Sequence, residues 1–134
     1  MSKELAAKTA ETAKLYFTGV DKEDLPYNLW REFDPQLAKE MSLFITGQMY
    51  SRQRIPHTTR QLVAVAALTA LGCTGELKVH LHAALNVGVE PQELAEAIFQ
   101  TGVYAGVPAM NVGLATLKEL MQERGQWPLQ SRAD

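Results

Sequence analysis

The sequence predicts an all-α fold, and three observations predict it. Apolar residues recur at three- and four-residue spacings through successive segments. Those segments are punctuated by residues that start and stop helices, such as Asp34-Pro35, Glu90-Pro91, Gly72, Gly88 and Gly125. No stretch alternates apolar and polar residues over any length, as a half-buried strand would. About six helices are expected, in one domain spanning residues 1–134, which is near the commonest domain size.

Residues Lys3 to Phe17 are Ala-rich, with Leu5, Thr9/Ala13 and Tyr16 at helical spacing, and Gly19 ends them. The acidic segment Asp21–Asp24 reads as a loop. Pro26 to Phe33 reads as a helical turn that drops Leu29, Trp30 and Phe33 onto the body. Asp34 caps and Pro35 opens a helix whose apolar face, Leu37, Met41, Phe44/Ile45 and Met49, runs to about Tyr50. After the linker SRQRIP, Thr58 or Thr59 is placed to cap a helix that runs to Leu71 and stops at Gly72. That helix is apolar almost all round, so it belongs at the centre, and a chain this short would need further subunits to cover it. Thr74 is expected to cap the next helix, which Gly88 terminates. A fifth runs from Pro91 to Gly106 with Leu94, Ala97/Ile98 and Thr101 inward, and Gly102 and Gly106 permit close contact. A sixth, from Pro108 to about Arg124, turns Met110, Leu114, Leu117 and Met121 inward. In the tail, Trp127 is expected to dock before the end frays.

Composition narrows the function classes. A formal net charge of −2 offers neither the basic footprint of a nucleic-acid binder nor a polybasic membrane segment. The longest apolar run, Leu62 to Leu71, is too short to span a bilayer, and the N-terminus has no signal-peptide pattern. A single cysteine rules out an intrachain disulfide and a Cys-x-x-Cys redox pair. A cytoplasmic protein with no nucleic-acid or membrane partner is expected.

The chemistry-bearing residues concentrate between Arg60 and Gly88. Cys73, Glu76 and His80 follow at spacings of three and four, so on a helix turning about 100° per residue they share a stripe. A carboxylate one turn before an imidazole can hydrogen-bond it, raise its pKa and prepare a general acid/base; the bland alternative is a solvated helix pair. Cys73 lies near a helix N-terminus, which favours a thiolate, although a lone cysteine also serves as a small buried hydrophobe. His82 points to another face from His80, so the pair makes no ready metal site, and His57 has no evident partner. Arg60 is either a snorkelling surface residue or, with Arg52 close by, an anchor for a carboxylate. Tyr104 is either core or a hydroxyl facing a cavity. Metal, P-loop, Rossmann and Ser-His-Asp signatures are absent from the sequence.

The strings TRQLVAVAALTALG, GELKVHLHAALNVGV and PQELAEAIFQTGVYAGVPAMNVGL resemble the carboxymuconolactone decarboxylase family, within the alkylhydroperoxidase D-like superfamily. The resemblance covers residues 35–124, most specifically in ALNVGV-x-x-x-E-L-x-E and YAG-x-P-A-x-N. The superfamily's peroxidase branch carries Glu-x11-Cys-x-x-Cys-x3-His, and those positions here are Gln61, Cys73, Glu76 and His80. Two of the four depart: there is no second thiol, and Gln61 cannot act as the activating base. The decarboxylase branch also lacks the cysteine pair and keeps the histidine, so this chain sides with it.

That resemblance implies a cofactor-free carboxy-lyase removing CO₂ from 4-carboxymuconolactone, or a related carboxylated lactone, in aromatic (protocatechuate, β-ketoadipate) breakdown. It implies His80 as proton carrier with Glu76 orienting it. Arg60 and Arg52 would hold the carboxylates of a small dianionic substrate, and Cys73 and Tyr104 complete the candidate binding set. No metal or organic cofactor is implied, and assembly as a homotrimer or homohexamer is. Two alternatives stand beside it: a peroxiredoxin-like alkylhydroperoxidase or thiol redox protein using Cys73, and a non-catalytic oligomer of the same fold.

Overall fold

A computed structural model describes residues 2–130 and contains helices and no strand among them. Helix α1 covers Lys3–Phe17 and is capped by the Ser2 hydroxyl, which accepts from Leu5 N–H at 3.1 Å. A 3₁₀ turn at Lys22–Asp24 leads into α2, Pro26–Phe33, a two-turn helix where only a helical turn was expected. The α3 helix, Pro35–Ser42, begins at the predicted Asp34 cap, whose side chain accepts from Leu37 N–H at 3.0 Å. It continues without a break into a π-helical segment, Leu43–Tyr50. Then come α4 (His57–Leu71), α5 (Thr74–Asn86), α6 (Pro91–Ala105) and α7 (Val107–Glu123).

Two cap expectations are corrected. The α4 helix starts at His57 behind Pro56, one residue ahead of the threonines expected to cap it. Cys73, not Thr74, occupies the N-cap of α5, because Gly72 at φ 71° turns the chain in the left-handed region and so brings the next residue to the cap. The α6 start is as predicted and is reinforced by a capping box, with Glu90 N–H donating to Glu93 Oε1 at 3.0 Å.

The core is built by α4, α5, α6 and α7 around Val65, Leu77, Leu81, Leu94, Ile98, Leu117 and Met121. Burial of such aliphatic groups, worth about 1.5–3 kcal/mol each, supplies the main driving force for the fold. The α4 helix is less central than its composition suggests: Val63 is 60% and Leu71 73% exposed, because α5, α6 and α7 cover one side of it only. The apolar face expected of the third helix also differs. Leu37, Phe44 and Met49 face outward, while Ala38, Leu43, Thr46 and Gly47 are buried. Small residues are turned inward there because α1 runs close by: a Cβ on Gly47 would collide with the Thr9 side chain.

The N-terminal layer is tied to the core by polar contacts as well. Asn86, in the last turn of α5, donates through Nδ2 to the carbonyls of Tyr16 and Thr18, both at 2.8 Å, and so satisfies the C-terminal end of α1. The tail docks as expected at its start: Leu129 packs against the core and Lys118 Nζ lies 5.5 Å over the Trp127 ring. The expected fraying falls on 131–134, outside the described residues. No helix among the described residues is long and apolar enough to cross a membrane.

Candidate functional site

A cavity of about 790 Å³ opens between α1, α2, α3 with its π-helical extension, and α5. That is within the range of small-molecule sites. Its wall is mostly apolar, with Phe17, Trp30, Leu43 and Ile45 among the contributors. Its polar members include His80, Glu76 and Tyr50 on one side and Lys14 and Lys39 on others.

His80 is placed by the middle of α5 and is 7% exposed. Its ring is held edge-on by Phe17 and Tyr50, with centroid separations of 6.3 and 6.1 Å. Its hydrogen-bond partner is Gln61 of α4, with Nδ1 and Oε1 2.9 Å apart. A carbonyl oxygen only accepts, so Nδ1 carries the proton and Nε2 keeps its lone pair. Burial lowers the His80 pKa from 6.5 to about 4, so the ring is neutral at pH 7.

This corrects the expected Glu76–His80 pair. The imidazole is bound by a neutral amide, and its pKa falls where a carboxylate partner would have raised it. The two residues nevertheless line the same cavity. Partial burial raises the Glu76 pKa above the ordinary carboxylate value. Its charge in turn helps to raise the Tyr50 pKa, behind the larger effect of burial.

Behind His80 lies a second layer of polar groups. Tyr16 is fully buried, and its hydroxyl shares a 2.6 Å hydrogen bond with His57 Nδ1. His57 therefore has a partner that the sequence did not reveal. Gln61 is fully buried too; its Nε2 makes no hydrogen bond of good geometry, yet its amide lies near enough to the Tyr16 hydroxyl to favour the phenolate slightly. Burial is the stronger influence and keeps the Tyr16 pKa raised.

The remaining sequence candidates stand apart from this wall. Arg60 is half-buried and donates through Nη2 to the Arg52 carbonyl at 3.0 Å. Neither arginine lines the cavity, because the linker folds back over the start of α4 and directs the Arg52 side chain towards surface clefts beside Gln48. The Arg60 charge still reaches inward, acting to lower the pKa values of Tyr16 and Tyr50. Cys73 is exposed at the elbow before α5. Tyr104 is not core: it is 80% exposed, near the end of α6, and with Ala66 and Ala70 borders a shallow hollow apart from the His80 cavity. His82 does face away from His80, into a small charged cleft with Asp21, Asp24 and Arg124.

A sequence model of the carboxymuconolactone decarboxylase family matches residues 35–119. The chain belongs to that family. It is 38% identical over 97 residues to a 4-carboxymuconolactone decarboxylase of Acinetobacter baylyi, covering 72% of this chain and 72% of that protein. It is also 29% identical over 94 residues to an uncharacterised 15.0 kDa protein of Paracoccus denitrificans from the nqo9–nqo10 intergenic region, covering 69% of this chain and 70% of that one. The family stretch contains His80, Gln61, Glu76, Tyr50 and Lys39, whereas α1 and α2, which complete the cavity, precede it.

Proposed function

We propose that this cavity is the active site of a cofactor-free decarboxylase acting on 4-carboxymuconolactone or a related carboxylated lactone of aromatic breakdown. The observation that carries the proposal is His80, a buried neutral imidazole in the cavity wall, oriented through Nδ1 by Gln61. The named relative is a decarboxylase of that lactone.

The chemistry follows from those groups. The substrate arrives as a dianion, and its negative charge favours the imidazolium, so binding raises the proton affinity of a ring that burial alone holds neutral. The bond between ring carbon and carboxylate breaks, CO₂ departs, and the electron pair enters the conjugated lactone. His80 donates the Nε2 proton to carbon and returns to its neutral form. Glu76, a carboxyl with a raised pKa in the same wall, is suited to pass the next proton inward. The conjugated lactone takes the electron pair, so the step needs no metal or organic electron sink. The proposal includes assembly as a homotrimer or homohexamer, which would cover the outward side of α4 at Val63 and Leu71.

The test is CO₂ release from 4-carboxymuconolactone. His80→Ala is expected to lower turnover by about 10²–10⁴-fold, the usual range for a lost acid/base group. Cys73→Ser is expected to keep most of it. Undiminished CO₂ release by the His80 variant, or peroxide consumption that depends on Cys73, would overturn the assignment.

A further inference from the structure

We infer that helices α1 and α2 form the specificity half of the cavity, and that Lys14 and Lys39 are its paired carboxylate anchors for a small organic dianion. The inference rests on the cavity being the reaction site and replaces the arginines as the groups that hold substrate charge.

Three observations carry it. First, two exposed cations, Lys14 from α1 and Lys39 from α3, border the cavity beside its apolar and aromatic groups. Neither has a carboxylate within ion-pairing distance among the described residues, where Lys78 makes the ion pairs, with Glu119 and Glu123. Second, the wall sets two lysines against one acidic side chain, Glu76, which sits with His80 on α5. The unbound site therefore carries positive charge awaiting a counter-ion. Third, Arg60 and Arg52 are bonded to one another outside the cavity.

Lys14 occupies the last turn of α1, where the dipole favours a cation, whereas Lys39 sits within the continuous run of α3 and the π-helical segment. The dipole thus accounts for one lysine, but not for two of them bordering one hollow that Phe17, Trp30 and Leu43 also line. A ligand with a compact apolar body and two separated carboxylates satisfies both features. Lys39 lies within the family stretch 35–119 and Lys14 outside it, on the helix that also supplies Phe17. The shared half of the site thus provides His80 and one anchor, and the N-terminal half sets the second anchor and the facing wall.

The experiment compares trans,trans-muconate with sorbate, which share a trans,trans-conjugated six-carbon skeleton and carry two carboxylates and one. Calorimetry on the full chain is expected to show muconate bound about tenfold more tightly than sorbate, the discrimination of one well-placed charged contact. Lys14→Gln and Lys39→Gln should each remove most of that preference, and Arg52→Gln should not. Equal binding of the two acids by the unaltered protein, or a preference that survives both lysine substitutions, overturns the inference. Turnover separates this from the lyase assignment. Decarboxylation whose KM is unmoved by the lysine variants sinks the anchors alone. Lysine-dependent muconate binding without any CO₂ release sinks the lyase alone.

Discussion

Gln61 Oε1 and His80 Nδ1 lie 2.9 Å apart in the interior, joining the middle of α5 to the start of α4. The contact sets the tautomer of the one imidazole in the cavity wall and supplies no charge to stabilise a proton there. Whatever protonates His80 must come from the cavity side, by way of ligand or solvent.

Replacing that amide by an acid should be visible in a pH profile. Gln61→Glu places a carboxylate against Nδ1, which favours the imidazolium and moves the His80 titration upward from about 4. With His80 as proton donor, the alkaline limb of kcat/KM should shift upward with it. Gln61→Leu should leave Nδ1 unpartnered at a cost of about 1–3 kcal/mol and lower turnover without raising that limb. An unshifted limb in Gln61→Glu would dissociate the imidazole from the observed ionisation.

The same ring predicts acid sensitivity of folding. The folded pKa of about 4 lies below the unfolded value near 6.5, so the native state binds this proton less readily. Its share of stability is complete above pH 6.5 and is lost as pH falls toward 4. The share lost over that window is on the order of 3 kcal/mol. Urea unfolding at pH 7 and pH 4.5 should show a smaller drop for His80→Gln than for the unaltered chain.

Tyr16→Phe removes a buried hydroxyl and strands His57 Nδ1, 2.6 Å away. A loss of about 1–3 kcal/mol is expected in chemical denaturation. Because Tyr16 stands behind Gln61 and does not line the cavity, binding of a dicarboxylate should change little.

Gly47→Ala should destabilise by about 1–3 kcal/mol through overpacking against α1. Thr9→Ala shortens the side chain in the way, so the double variant should recover part of the loss. A strictly additive pair would show that the two positions do not press on each other.

Much of the fold was legible because helix punctuation is local. Asp34-Pro35, Glu90-Pro91 and Gly72 start or stop helices through their own backbone chemistry, and each does so here. What was not legible depends on distance in the sequence. His80 and Glu76 could be placed on one helix, but the partner of His80 lies on α4, nineteen residues earlier. The one hint was that Gln61 stands just ahead of the apolar run, at the position where the peroxidase branch keeps a glutamate. Likewise Lys14 and Lys39 border one cavity only because α1 packs against the π-helical segment that continues α3, which periodicity does not report. Phe44 turns outward because the helical spacing that would place it inward does not hold through a segment whose turns are wider.

That wider segment, Leu43–Tyr50, has a consequence of its own. A π turn accommodates one residue more than an α turn. One residue of that segment is therefore surplus to an ordinary helix, and deleting it would let the stretch tighten with its two ends nearly in the same phase. Lys39 and Tyr50 would still address the same hollow. A residue removed from α3 ahead of the segment meets no such slack and would swing one end against the other by about 100°.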